Sequence, residues 1–428
     1  MANQLFTNVM IFDGTGKKSF PGEVLVQGNQ IKAVAKGNQK ISGDGATVID
    51  GGGATLMPGL VNCHGHLAYT DFASPDEAGN TPPEENMLIA TYNARTALDH
   101  GFTAVVSGST QKPRIDIALR NEINAGRVPG PRMRACSTQF NPTGGPWDSR
   151  QMHMDHESIF VIADGPIEVR RKVREFIREG VDIVKLTISG DEFAEHAGEE
   201  TTVMAEDEVA AAAEVAHSRG KRLAAHARSD GSVRLCLKYG VTFIYHATFA
   251  TERTLDLLEK HKADHVVCPA MGAIFTTLYE AGEWGITREW ALAHRFDREL
   301  ETACEVTQKL FKRGVHVLPF GDYGFAWNPH GTDARDLEHF VNLMGFTPAQ
   351  VLTMATNWGG QAFAGDDPLA LGQVKVGYLA DLLLVDGDPL ADVTLLQDKD
   401  NLLMVMKDGE YHRAPLKRRI PRRVRAAE

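Results

Sequence analysis

The chain has 428 residues, 43% of them apolar and 24% charged, the balance of a folded globular protein rather than of a disordered or collagen-like one. Its net charge of −11 conceals a basic end, because residues 413–428 hold seven Lys/Arg and one Glu; the acidic remainder argues against a nucleic-acid reader, which carries a basic face on a folded domain. No run of about 18 apolar residues marks a membrane helix.

The N-terminal MANQLFTNVMIFDGTG lacks a basic segment followed by an apolar stretch and a small-residue cleavage site, so no secretory leader is expected and the location expected is cytoplasmic. Between Leu5 and Ile49 short alternating runs (NVMIF, GEVLVQG, QIKAVAKG, TVID) are parted by Gly, Asn and Lys, the texture of small antiparallel strands. The same texture returns from Gly372 in GQVKVGYLADLLLVDGDPL and LLMVMKDGEYHR. Chain ends often lie close together, so residues 1–54 plus 372–415 are expected to form one small composite β-sandwich domain. Residues 416–428 make a basic C-terminal tail, expected to be solvated or to clasp another subunit. The five cysteines (Cys63, Cys136, Cys236, Cys268, Cys304) form no CxxC and read as small core residues rather than a disulfide framework or thiolate zinc site.

Residues 55–371 alternate apolar runs with amphipathic stretches. The runs are LMPGLVNCHGH, TAVVSGS, RMRACST, DIVKLTIS, KRLAAHA, TFIYHAT, DHVVCPA and VHVLPFGD. Helices are expected between them, among others in PIEVRRKVREFIREG and in DEVAAAAEVAHSRG, where Gly220 stands at the C-cap. Buried parallel strands are continuously apolar, and eight strand–helix repeats predict an α/β fold, a (β/α)8 TIM-like barrel with its active site at the strand C-termini.

Polar residues interrupt the runs where such a barrel would use them. His64 and His66 end the first run, Lys185 lies in the fourth, His226 and His246 end the fifth and sixth, and Asp322 follows the eighth. Strand residues i and i+2 share a face about 6.5 Å apart, so His64 and His66 can converge on one ion, with Gly65 leaving room. Neutral imidazoles and a carboxylate suit a divalent ion such as zinc. A buried Lys185 amine, pushed toward neutrality, can add carbon dioxide, and the carbamate has two oxygens with which to bridge two metals. Any one of these residues alone is a weak signal; the strength lies in six side chains of the right types at strand ends.

Through MPGLVNCHGH, VKLTISG, AAHA, YHAT, the GD at Asp322 and GYLADLLLVDGDPL, nearly the whole chain resembles the amidohydrolase superfamily of metal-dependent hydrolases. Within it the chain is most similar to the Xaa-Pro dipeptidase-like carboxypeptidases that include ochratoxinase. The resemblance implies that His64, His66 and Asp322 hold one metal and His226 and His246 another, bridged by carboxylated Lys185. It further implies that Asp322 takes the proton of a metal-bridging hydroxide as it attacks and passes it to the leaving amine. The expected function is a binuclear metal-dependent amidohydrolase of N-acyl amino acids or dipeptide-like compounds, aromatic amides such as ochratoxin A included, working as a homo-oligomer. A mononuclear deaminase or cyclic-amide hydrolase and a non-catalytic scaffold are the alternatives. The HARS after the fifth run, where deaminase relatives carry HxxE, speaks against the deaminase, and the intact ligand positions speak against the scaffold.

Substrate recognition is less sharply marked. Arg228, two residues beyond His226, offers a fork for a substrate carboxylate or neutralises an acidic mouth; relatives often have Tyr here. In NPTGGPWDSRQMHMDH, Pro146 and Trp147 stand where similar sequences have a His, and Trp147 offers an apolar wall or packs the loop. Trp327 and His330 follow Asp322, with His330 either orienting substrate or tying the loop. CPAMGAIFTTLYEAGEWG lines a pocket, forms a lid or packs a core or subunit interface.

Overall fold

A computed structural model of the chain describes residues 3–148, 150–153, 158–194 and 196–415; the basic tail at 416–428 lies outside them. Two compact units divide the chain, the smaller from the described residues of Met1–Leu60, Leu98–Thr103 and Pro348–Glu428, the larger from those of Val61–Ala97 and Ala104–Thr347. No helix among the described residues is long and apolar enough to cross a membrane. All five cysteines are free thiols.

Both chain ends contribute strands to the smaller unit: Asn3–Ile11, Phe20–Gln27, Gln30–Lys36, Ala46–Asp50 and Thr55–Pro58 from the first, Leu382–Val385, Leu402–Lys407 and Glu410–Arg413 from the last. They form one hydrogen-bonded sheet of eight strands, not the two sheets that a sandwich implies. Continuity comes from Asn3–Ile11, which pairs antiparallel with Phe20–Gln27 and parallel first with Ala46–Asp50, then with Thr55–Pro58. The switch of partner follows an irregularity between Phe6 and Val9, where Asn8 takes a φ of 52°. Thr55–Pro58 then pairs antiparallel with Leu382–Val385 and so joins the two chain ends. Val24 and Ile31 from one side of this sheet share a buried cluster with Leu382 and Met404 from the other, so the sheet curls around a single core. Residues 348–371, which the sequence pattern groups with the middle of the chain, belong to this unit, helical from Pro348 to Ala364.

The apolar runs of the middle become strands, all but the first residue of one and the first two of another within the larger unit: Leu60–Gly65, Phe102–Ser107, Arg132–Arg134, Ile183–Thr187, Arg222–Ala227, Phe243–His246 and Val266–Cys268. Every residue of Leu60–Gly65, Ile183–Thr187 and Phe243–His246 is buried, as expected of strands covered on both faces. From Ile183 to Cys268 the pairing is parallel and consecutive. Parallel bridges from Cys136 to Ile183 and from Val267 to Val317 extend it at both ends. The eighth run contributes only that bridge, because Pro319 two residues later has no N–H for a ladder. Helices fill the intervals. Gly165–Glu179 buries Val169, Val173 and Phe176 at helical spacing and stops at Gly180, whose φ of 108° turns the chain out. Glu206–His217 ends at Ser218, and Gly220 supplies the left-handed turn just beyond instead of the cap itself.

Candidate active site

The strands of the larger unit deliver their polar residues to one place. Asp322 Oδ1 lies 3.2 Å from Nε2 of both His64 and His66, and its Oδ2 lies 3.6 Å from Nε2 of His246. His246 Nε2 is in turn 3.1 Å from His226 Nδ1. Lys185 is fully buried, its Nζ 4.1 Å above the Tyr245 ring, and the opposite flank of that chemistry is close, since Tyr245 also stacks on His64 at 3.5 Å. Lys185, His226 and Asp322 line a common cavity with His66.

Backbone geometry marks the same region. His246, Ala247, Ala270, Phe320 and Asp322 all have φ between 55° and 79°, conformations that non-glycine residues hold only when their surroundings impose them, at about 1–3 kcal/mol each. Room for the imidazoles comes from Gly108, where a Cβ would stand 2.5 Å from His64 Cδ2 and 2.8 Å from His66 Cε1, and from Gly321, where it would stand 2.6 Å from His64 Nδ1. Gly65 serves another purpose: its missing Cβ makes way for Val105, 2.5 Å away.

Charge states follow from burial and neighbours. Burial holds the His64, His66 and His246 imidazoles below their ordinary 6.5 and lowers His226 to about 4, with Arg228 contributing. Burial acts to raise the Asp322 carboxyl, while protons on His64, His66 and His246, where present, act to lower it. His66 Nδ1 faces the Ser109 carbonyl at 3.2 Å; a proton on that nitrogen leaves a lone pair on Nε2, the arrangement that a metal-ligating histidine adopts. Neither ring nitrogen of His64 has a hydrogen-bond partner among the described residues. A carboxylate surrounded by imidazole lone pairs is an assembly of acceptors, and a cation relieves the repulsion. His64, His66 and Asp322 offer donor atoms within 4.8 Å of one another and fit a divalent ion. Burial also lowers Lys185 to about 8, in the direction that carbamate formation needs.

The residues expected to face substrate divide. Trp147 and Trp327 line the cavity with Arg228, and Ala273, Ile274 and Thr277 of the apolar helix Met271–Tyr279 form another side of it. Trp327 is fixed by donating from Nε1 to Thr277 Oγ1 at 2.9 Å. His330 ties the loop: its N–H donates to Asp71 Oδ1 at 3.1 Å, and its Nε2 is 3.1 Å from the Tyr69 carbonyl. Arg228 is enclosed by carboxyl groups. Its Nη1 contacts Glu299, its Nε lies 3.4 Å from Glu192, and its Nη2 lies 3.4 Å from Asp191. Those acids escaped sequence reasoning because Glu299 comes from a distant helix, Phe296–Lys312; the acidic SGDE following the fourth run was the available signal for the other two. Phe72, Phe193 and Phe325, also cavity-lining, carry no local mark that separates them from core phenylalanines.

Residues 55–411 match the family model described as the amidohydrolase family. The chain belongs to the amidohydrolase family. This amidohydrolase is 24% identical to ochratoxinase of Aspergillus niger over 378 residues, covering 84% of this chain and 76% of that one. Among solved structures, a protein described as an amidohydrolase has 25% identity and a TM-score of 0.86 over 97% of this chain and all of its own. A Xaa-Pro dipeptidase with methionine bound in its active site has 25% identity and a TM-score of 0.82 over 96% of this chain and all of its own. The chain is accordingly a hydrolase acting on amide-type carbon–nitrogen bonds.

Proposed function

We propose that this amidohydrolase cleaves small amides, among N-acyl, dipeptide-like and aromatic compounds, at a two-metal centre in the mouth of a closed (β/α)8 barrel. Closure is supported by the meeting of the ladder's two ends, His64 on the first strand and Asp322 beyond the last bridge. The observation that carries the chemistry is the Asp322 carboxylate held among three neutral, buried imidazoles. Two divalent ions of the zinc kind, one held by His64, His66 and Asp322, the other by His226 and His246, with Lys185 as its carbamate between them, would supply ionised water at neutral pH and polarise the amide carbonyl.

The chain's own groups supply the rest. Asp322, pinned between His64 and His66, accepts the proton of the attacking water at a carboxylate oxygen and returns it to the departing amine nitrogen. Ser109 fixes the His66 ring through Nδ1. The Lys185 amine forms the carbamate by bonding its nitrogen to the carbon of carbon dioxide and releasing a proton, and its burial under Tyr245 keeps competing hydration away. Rings of the cavity wall seat the apolar group of the substrate and exclude water.

The test is amine release from a panel of N-acyl amino acids and aromatic amides by zinc-loaded protein, with metal counted per chain. About two ions per chain and a fall of about 10²–10⁴ in kcat/KM for Asp322→Asn are expected. A variant as fast as the parent overturns the proton-transfer role, and a single ion per chain overturns the two-metal centre.

A further inference from the structure

Beyond the histidines the cavity is a chamber of rings. Phe325 and Trp327 stack with centroids 5.3 Å apart and planes at 14°, while Trp147 lies 5.2 Å from Phe193 and 5.8 Å from Phe325. The chamber has a neighbour. A second hollow, bordered by Ile286 and Trp290, shares Trp147, Phe193 and Trp327 with the first. Those three rings are therefore a common wall between an inner apolar space over the catalytic residues and an outer one, and flat groups can be received on both sides of it.

Charge narrows the choice further. Besides Lys185, the cation in the lining is Arg228, the natural anchor for a substrate carboxylate. It is 6% exposed and sits against Asp191, Glu192 and Glu299, which are 4%, 5% and 0% exposed. A carboxylate entering beside the amine would find the one guanidinium already matched by buried acids, and it would lose its hydration without gaining a free arginine fork.

We propose, on the footing of the amide-hydrolase reading, that the preferred substrate is an uncharged amide carrying two aromatic or bulky apolar groups, without a carboxylate beside the amine. The inner rings receive one group; the outer hollow at Trp290 receives the other.

A matched pair of compounds tests this: N-(2-phenylethyl)benzamide, and N-benzoylphenylalanine, which adds only a carboxylate. Calorimetric titration of the zinc-loaded protein should show the neutral amide binding at least about tenfold more tightly. Equal or tighter binding of the acid overturns the proposal, as does failure of the protein to bind either compound. Glu299→Gln releases part of the hold on Arg228 and should raise affinity for the acid several-fold while leaving the neutral amide unchanged. Trp290→Ala, at a partly exposed position, should weaken the two-ring amide several-fold but not N-(2-phenylethyl)acetamide; equal losses for both overturn the two-chamber assignment. Binding of the neutral amide without amine release upholds the pocket assignment and overturns the hydrolytic reading, so the two are separable.

Discussion

Lys185 is the residue whose position is hardest to explain by folding alone. Its amine lies over the Tyr245 ring, fully buried, within electrostatic reach of Asp322, His64, His66, His226 and the thiols of Cys136 and Cys268, and burial lowers it to about 8. A buried ammonium without a strong ion pair costs several kcal/mol, a cost that the proposed carbamate between two cations would remove. Lys185→Gln keeps much of the length and loses the carbamate. Metal analysis is expected to find the content falling from about two ions per chain to one or none, with kcat/KM down by at least about 10²; a variant that retains two ions and its activity would show that the lysine is only packing. The identity of such a residue was legible because it interrupts an apolar run. Arg228 was legible from its place two residues beyond His226, but its partners were not, since Asp191 and Glu192 follow the fourth run and Glu299 lies on a distant helix.

At the scale of elements, the strands were legible from continuous apolar runs, and their polar ends from the residues that break them. Close approach of backbone was not. Gly65, between the two histidines, looks like the provider of space, yet the backbone just past the following strand provides it at Gly108. Gly108→Ala should therefore displace His64 and His66, lowering metal content and activity at least about tenfold for a stability loss of about 1–3 kcal/mol; an alanine variant with full metal content would sink that account. The helix Arg335–Met344 supports the other end of the ladder. Asp336 on its first turn accepts from Phe320 N at 2.8 Å and Tyr323 OH at 3.1 Å, holding the segment that contains Asp322. Burial raises Asp336 from 3.8 to about 7 despite those bonds. Between these values the folded chain retains a proton that the unfolded chain has released, so this group's contribution to stability falls as pH rises from about 4 to about 7, by up to about 1.4 kcal/mol per pH unit. Denaturant titrations of Asp336→Asn should show a flatter dependence across that window; an unchanged slope would assign the protonation elsewhere.

Over the whole molecule, two kinds of core coexist. The smaller unit buries a purely apolar cluster around Phe6, Leu56, Leu382 and Met404, complete without any ligand. The larger unit buries, beside its apolar strands, four imidazoles and a lysine gathered around the partly exposed Asp322 carboxylate. Its folding is for that reason linked to what occupies the site. With the cations removed, the Asp322 carboxylate and the facing lone pairs lose their counter-charge, and each buried polar atom left unpaired costs about 1–3 kcal/mol. With free zinc about a hundredfold above the dissociation constant, each ion adds about 2.7 kcal/mol to stability. Calorimetric scans with and without a strong chelator should show the unfolding midpoint falling by at least several degrees on metal removal. The fall should be restored by added zinc and should be much smaller in His64→Asn, which retains the fold's apolar cores but loses a ligand. Leu384→Ala, a cut into the ligand-free core, should lower stability by about 2–5 kcal/mol while the metal content stays at two per chain. A midpoint insensitive to chelation in the parent protein would mean that the acceptor cluster is stable by itself, and the metal assignment on which the proposed chemistry depends would have to be abandoned.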